Sequence, residues 1–140
     1  MDDLNDEAVI RRVLTEARVW AIVGLGDNPA RPAYGVARFL QEQGKKIVPV
    51  HPSAAAVHGE QGYARLADIP FPVDAVDVFR RSTEAGAVAD EALARAEVGA
   101  VWFQLGVVDA AAAERVLSAG RHMVMDRCPA IEWPRLLTGR

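Results

Sequence analysis

The sequence predicts an α/β domain in which helices cover both faces of a five-stranded parallel sheet. Five short apolar segments alternate with segments of helical spacing along the chain, and such alternation requires a parallel sheet with right-handed crossovers. The first apolar segment, VWAIVG, contains no charged residue, as expected of a strand that is buried on both faces. Glycines and prolines stand at the junctions between segments, where helices and strands are expected to begin and end.

Chain length and composition narrow the class of protein. The 140 residues are expected to form one domain, residues 1–140, and the 51% of apolar residues are sufficient for a core. No apolar run approaches the roughly 18 residues that a membrane helix needs. The acidic, amphipathic start, MDDLNDEAVIRRVL, is unlike a signal peptide. We therefore expect a cytoplasmic protein with no membrane partner.

Net charge and the numbers of cysteines and histidines exclude further classes of binding site. The net charge of −3 argues against nucleic acid as a partner, because a phosphate backbone requires a concentrated basic face. The single cysteine, Cys128, excludes an internal disulfide and a cysteine-based zinc cluster. The three histidines, His51, His58 and His122, lack the spacing of metal ligands. No metal site is expected.

The boundaries of the elements follow from spacing, caps and breakers. Pro32 suits the first position of the second helix, and Gly44 suits the left-handed position that ends it. Ser82 or Thr83 is expected to cap a later helix, and Gly120 is expected to end the next one. The predicted helices are residues 4–16, 32–44, 84–96, 110–119 and 131–137, with a short helical turn at 64–69. The predicted strands are residues 19–24, 46–50, 74–79, 100–105 and 122–125.

The predicted strands are expected in the order 3-2-1-4-5, which gives a Rossmann-like, three-layer αβα sheet. Ligands of such sheets bind beyond the carboxyl ends of the strands. Candidate functional residues therefore lie at five corners, residues 24–28, 51–52, 79–82, 104–106 and 126–129.

The first corner indicates a phosphate site. Gly24 and Gly26 occupy the first two places of a G-x-G-x-x-G pattern, but Pro29 occupies the third, so the loop before the helix is longer than in a dinucleotide fingerprint. Backbone N–H groups near Gly26 and at the start of the helix are able to hold phosphate oxygens. Arg31 is placed to add a charge-assisted contact.

Residues at two other corners discriminate between NAD and NADP as candidate ligands. NAD enzymes place an acid after the second strand to hold the ribose hydroxyls, and this chain has His51 and Pro52 there. Arg80 and Arg81 follow the third strand and suit a ligand with a pyrophosphate and a separate ribose phosphate. Each arginine is equally consistent with an exposed ion pair. NADP is less strongly excluded than NAD, because its additional phosphate favours a base.

Several motifs resemble those of a known family. The runs VGLGDNPARPAYGVARFLQEQGKKIVPVHP, LADIPFPVDAVDVFRR, VWFQLGV and VMDRCPAIEW resemble the small stand-alone CoA-binding proteins. These proteins are similar to the N-terminal CoA-binding domain of succinyl-CoA synthetase alpha subunits. The resemblance covers about residues 19–133. It implies a Rossmann-like fold with coenzyme A, or an acyl-CoA, along the sheet edge.

The resemblance also implies which residues contact the ligand. They are Gly24, Leu25, Gly26, Asp27, Asn28, Arg31, Tyr34, Gly35, His51, Pro52, Val78, Phe79, Arg80 and Arg81, with Gln104 and Gly106 nearer the pantetheine. The chain departs from the family at two positions: family members often have Ala-Ser in place of Leu25-Gly26, and asparagine is usual in place of His51.

Three candidate residues each have two interpretations. Cys128 lies beside Arg127 and precedes Pro129; an arginine and a helix start both favour a thiolate, so Cys128 is either a partner for a mixed disulfide with the CoA thiol or a small buried hydrophobe. His51 is expected either to contact the ligand or to bond to the following loop. Tyr34 either lies over the loop or packs against the helix start.

Catalysis is not predicted. Asp27 and Asp126 lie at the ligand edge, but each is more typical of a residue that braces a turn. His122 is expected at the opposite edge of the sheet, and no Ser-His-Asp or paired-carboxylate arrangement is proposed. Three hypotheses follow: a CoA-binding module without catalytic activity, a small NADP-dependent oxidoreductase, and an interaction subunit whose nucleotide site is vestigial. A protein partner or a homodimer is compatible with all three.

Overall fold

The computed structural model of the chain describes residues 4–137. Strands and helices alternate as predicted. The strands are β1 (Val19–Val23), β2 (Lys46–Val50), β3 (Ala75–Val78), β4 (Ala100–Phe103) and β5 (His122–Val124). The helices are α1 (Glu7–Glu16), α2 (Pro32–Glu42), α3 (Ser82–Leu93), α4 (Ala110–Ser118) and α5 (Pro129–Leu137), with a 3-10 turn at Leu66–Asp68.

All five strands are parallel, which confirms the predicted fold class. The order is β2-β1-β3-β4-β5, so the expected position of the third strand was wrong: β3 lies between β1 and β4, and β2 is the edge strand. Pro49 explains the difference, because proline has no N–H for a sheet ladder and is confined to edge strands. The carbonyl of Pro49 accepts from the Tyr63 amide at 2.9 Å, so the ring nitrogen of Pro49 also faces this outer side.

Two apolar clusters fill the two sides of the sheet. Helices α1, α2 and α5 cover one side, which we call the α2 face, over a cluster that includes Trp20 and Trp102. The rings of these tryptophans lie 5.7 Å apart and both are fully buried. Helices α3 and α4 cover the other side, the α3 face, over a cluster that includes Val78 and Phe103. The tryptophans therefore pack the core.

Helix boundaries differ from the predictions where a cap was misassigned. Helix α1 begins at Glu7, because the Asp6 side chain accepts from the Ala8 amide at 2.8 Å. Neither predicted residue caps α3: the helix starts at Ser82 itself, and Arg81 is its N-cap. The Ser82 hydroxyl instead accepts from the Val108 amide at 2.9 Å. Ser82 thus joins the β3 corner to the loop after β4.

Candidate functional site

The strand order places the topological switch point between β1 and β3. Helix α2, which follows β1, lies on one face of the sheet, and α3, which follows β3, lies on the other. In sheets of order 2-1-3-4-5, a crevice forms outside the carboxyl ends of the two strands where the connections diverge. The candidate site is therefore this crevice, lined by the loop from Gly24 to Arg31 and by the corner at Phe79.

Gly24 is required where the two corners meet. It adopts a φ of +104°, and a β-carbon there would lie 2.5 Å from the carbonyl oxygen of Phe79. The Gly24 amide donates to the Val50 carbonyl at 2.8 Å, and the Phe79 amide donates to the Val23 carbonyl at 2.8 Å. The ends of β2, β1 and β3 are thus joined by backbone contacts that leave no room for a side chain at position 24.

The amino end of α2 lacks a side-chain cap. Its N-cap is Arg31, which makes no capping hydrogen bond, and Pro32 is the first helical residue. Asn28 braces the preceding turn, where its side chain accepts from the Ala30 amide at 2.9 Å. The N–H groups of a first helical turn have no intrahelical acceptor. Pro32 has no N–H, and the Tyr34 amide donates to the Arg31 carbonyl at 3.1 Å. The Ala33 N–H is therefore the backbone donor that this end of α2 offers beside an exposed arginine.

The amino end of α3 has the same construction. Arg81 is the N-cap, again without a side-chain hydrogen bond, and its side chain, 84% exposed, reaches Glu84 at 3.4 Å. Arg80 is half-buried and forms no ion pair within the part of the chain that the structure describes. A cation next to a helix N-terminus is electrostatically unfavourable, and a bound anion reverses this.

His51 faces the glycine loop from the end of β2. Its Nδ1 lies 2.9 Å from the Ser53 hydroxyl and accepts from the Ser53 amide at 3.1 Å. A β-carbon at Gly26 would lie 3.2 Å from Cδ2 and 3.4 Å from Nε2 of the ring. The His51 ring therefore bonds to its own loop through one nitrogen and directs the other edge toward Gly26.

Tyr34 and Gly35 lie in the first turn of α2. The Tyr34 ring packs on the His58 ring at 4.3 Å, and the Tyr34 carbonyl accepts from Nε2 of His58 at 2.8 Å. These contacts favour the interpretation in which Tyr34 packs against the helix start. Gly35 is exposed, and a β-carbon there would have no atom within 4 Å. The space beside Gly35 is open to a ligand.

Two predicted contact residues have side chains that point into the core. Leu25 is fully buried in the cluster of the α2 face, and Val78 is fully buried in the cluster of the α3 face. Only their backbone groups are available at the edge. Asp27, Asn28 and Pro52 are exposed.

The β4 and β5 corners form the other half of this edge. The Gly106 amide donates to Asp126 at 2.7 Å, and the side chain of Asp109, the N-cap of α4, accepts from the Ala112 amide at 3.0 Å. Gln104 is buried, and its Oε1 has no hydrogen-bond partner among residues 4–137. Cys128 is only 6% exposed within the cluster of the α2 face, which favours the packing interpretation over the mixed disulfide.

A buried acid lies below the β3 corner. Asp77 is fully buried on the α2 face between its strand partners Ile22 and Trp102. Neither carboxyl oxygen has a hydrogen-bond partner of good geometry within the described residues. Burial raises the pKa of Asp77 well above its usual value, and the backbone amide of Val78 offsets only part of the rise. Burial therefore favours the neutral form of the Asp77 carboxyl.

The sequence reasoning missed Ser53 and Asp109; it placed Asp126 at the ligand edge as a residue that braces a turn, without its contact to Gly106. Ser53 stands two residues after His51 and makes a local hydrogen bond of a type common for serine. Asp109 precedes an alanine-rich helix, which is an N-cap signal. The contact of Asp126 with Gly106 is tertiary and has no local signal.

Two surface hollows lie away from the candidate site. The larger, of about 640 Å³, follows α4 and the start of β5; the smaller, of about 180 Å³, lies at the amino edge of the sheet beside Asp74 and Glu97. Neither is lined by a residue of the glycine loop. An extended ligand held by backbone groups needs a crevice at the strand ends rather than a deep cavity. The candidate site is therefore assigned from its backbone N–H donors and from the strand order.

Within residues 4–137, no group of three or more histidine, cysteine or acidic side chains is arranged to hold a metal ion. None of the helices in this range is both long enough and apolar enough to cross a bilayer.

Comparison with known proteins gives a family match. Residues 18–134 match the family model described as a CoA binding domain. The uncharacterized protein YneT of Bacillus subtilis (strain 168) is 34% identical over 122 residues, which are 87% of this chain and 90% of that protein.

Solved structures share the fold. The PH1109 protein redesigned for binding has a TM-score of 0.89 at 33% identity and covers 98% of this chain and 95% of its own. The cell-free ID.343 structure from Thermus thermophilus has a TM-score of 0.86 at 35% identity, with coverages of 94% and 99%. A dinucleotide-forming acetyl-coenzyme A synthetase from Ca. Korarchaeum cryptofilum has the same fold at 20% identity and a TM-score of 0.69, over 82% of this chain and 27% of its own.

Proposed function

Because this chain belongs to the family of CoA binding domains, we propose that it binds coenzyme A or an acyl-CoA in the crevice between the β1 and β3 corners, without chemistry of its own. One observation carries the location. The helices that start at these two corners both have arginine as N-cap and no side-chain acceptor. Two adjacent helix N-termini that lack side-chain caps and carry arginines suit a ligand with several phosphates.

The groups of coenzyme A can be matched to the two helix starts. The pyrophosphate would lie over the glycine loop and accept from the Ala33 N–H at the start of α2, with Arg31 as counter-ion. The ribose phosphate would lie toward Arg80 and Arg81. Gly35 leaves open space next to the first of these positions, so a phosphate oxygen is able to approach the helix backbone closely.

The other side chains at the edge favour a binding role. Asp126 and Asp109 are engaged by backbone amides, so neither is placed as a general acid or base. The corner after β2 carries His51 and no carboxylate, which removes the usual partner of an NAD ribose.

Calorimetric titration with coenzyme A, 3′-dephospho-CoA, NADP and NAD tests the proposal. We expect coenzyme A to bind about tenfold more tightly than 3′-dephospho-CoA, since a charge-assisted hydrogen bond is worth about 1.5–3 kcal/mol and 1.4 kcal/mol is tenfold. The R80A/R81A double variant should lose this preference. R38A, which removes an exposed arginine paired with Glu42 on α2, is the matched control and should retain it. Tighter binding of NADP than of coenzyme A would overturn the proposal.

A further inference from the structure

We propose that Ser53 orients His51 so that the imidazole offers its Nε2–H to a pyrophosphate oxygen of the ligand lying over Gly26. Ser53 is then a positioning residue, and His51 is a ligand contact at a position where asparagine is usual in the family. The inference rests on the proposed function for the identity of the ligand. The orientation of the ring rests on hydrogen bonds within the protein.

The hydrogen bonds of Ser53 determine the tautomer of His51. The Ser53 amide can only donate, and it points at Nδ1 of His51 at 3.1 Å. Nδ1 therefore accepts, and the proton of the neutral ring must lie on Nε2. The Ser53 hydroxyl, 2.9 Å from the same nitrogen, accepts from the Ala55 amide at 3.3 Å, so its own proton is available to Nδ1.

The donor edge of the ring is directed at the glycine loop. A β-carbon at position 26 would lie 3.4 Å from Nε2 of His51, so the ring occupies the space beside the Gly26 backbone. Nε2 has no hydrogen-bond partner among the residues that the structure describes. A donor without a partner, next to the loop that follows β1, is suited to an anionic oxygen.

The other two histidines differ from His51 in their hydrogen bonds or in their position. Nε2 of His58 already donates to the Tyr34 carbonyl at 2.8 Å, so His58 has a structural bond where His51 has none. His122 lies at the start of β5, at the opposite edge of the sheet. These differences make His122 a suitable control.

Histidine variants distinguish donation through Nε2 from a general effect of the ring. A glutamine amide reaches as far as Nε2, whereas an asparagine amide reaches only as far as Nδ1. We expect H51N to weaken coenzyme A binding about tenfold, which is about 1.4 kcal/mol, and H51Q to weaken it less than threefold. H51N should weaken the binding of 3′-dephospho-CoA by the same factor, because both ligands carry the pyrophosphate. H122N should change neither affinity.

Imidazole ¹⁵N NMR of the ligand-free protein reads the positioning role of Ser53 directly. We expect Nε2 of His51 to be protonated and Nδ1 not. S53A removes the hydroxyl near Nδ1 but keeps the backbone amide, so we expect it to retain this tautomer, to shift the Nδ1 resonance and to weaken coenzyme A binding about threefold. Protonated Nδ1 in the wild type, or S53A with an unchanged Nδ1 resonance and unchanged affinity, would overturn the role of Ser53.

The ligand part of the inference fails separately. Equal affinities of wild type and H51N for coenzyme A would remove His51 from the contact, and a loss in H51N that disappears with 3′-dephospho-CoA would move the contact to the ribose phosphate. If no variant and no wild-type protein binds coenzyme A, the proposed function itself fails, and the ligand contact fails with it.

Discussion

The two halves of the carboxyl edge satisfy their backbone groups in opposite ways. At the β4 and β5 corners, Asp109 caps α4 and Asp126 accepts from the Gly106 amide. At the β1 and β3 corners, arginines occupy both N-cap positions and no side chain accepts from the helix. Aspartate at an N-cap stabilises a helix, whereas a cation there does not. The two helix starts of the β1–β3 half are therefore less stable than a helix start capped by aspartate, and a bound anion would stabilise them.

The largest expected effect compares one glycine from each half. Gly24→Ala should lower the free energy of unfolding by about 3 kcal/mol, because a strained φ and overpacking each cost about 1–3 kcal/mol and Phe79 leaves no room for the β-carbon. Gly106 also has positive φ, +80°, but open space around it. Gly106→Ala should therefore cost only about 1 kcal/mol. Urea unfolding measures both, and equal losses would contradict the close contact at Gly24.

A second test concerns the buried acid beneath the β3 corner. The pKa of Asp77 is raised in the folded protein by burial, so the unfolded chain releases its proton first as pH rises. The stabilising contribution of the neutral carboxyl is complete below about pH 4, the ordinary pKa, and is lost as pH rises toward the raised value. The free energy of unfolding should fall by up to about 1.4 kcal/mol per pH unit in that window.

Asp77→Asn should remove this slope, as measured by urea unfolding at pH 5, 6 and 7. Glu91→Gln, at an exposed position of α3, is the control and should retain it. A wild-type protein and a D77N variant with parallel pH profiles would show that the carboxyl is not buried as described.

Changing the N-cap residues of α2 and α4 tests the contrast between the two halves of the carboxyl edge. Arg31→Asp should stabilise the protein by about 1 kcal/mol, because aspartate is a good N-cap, and should weaken coenzyme A binding at least tenfold, because it places a negative charge at the proposed phosphate site. Asp109→Ala should do the reverse: stability falls by about 1 kcal/mol and affinity is unchanged. Thermal unfolding and calorimetry measure the two quantities. If D109A lowered affinity as much as R31D, the division of the edge into two halves would be incorrect.

The smallest effect is expected at Gly35. Replacing glycine by alanine within a helix gains about 0.5–1 kcal/mol, and the free protein has space for the methyl group. Gly35→Ala should therefore stabilise α2 slightly while weakening coenzyme A binding about threefold by blocking close approach to the backbone. Ser118→Ala, in the last turn of α4, should leave affinity unchanged. An unchanged affinity in G35A would place the ligand away from this turn.

Local signals were sufficient for most of the elements. The five strands and five helices were predicted from alternation and from breakers such as Pro32 and Gly44, because these act within a few residues. The capping roles of Ser82 and Thr83 were predicted incorrectly, since Ser82 is engaged by the distant Val108 amide. The strand order was also wrong, although Pro49 carried the relevant information as an edge-strand signal.

The sequence by itself determined the fold class, the family motifs and the strand ends at which the candidate residues stand, because each depends on residue types at short separations. Only the tertiary structure decided that β1 and β3 are neighbours, that the Gly24 and Phe79 backbones touch, and that the His51 ring edge faces Gly26. These facts depend on contacts between segments that are far apart in the chain. Helix packing on both faces of the sheet together determines which corners are adjacent.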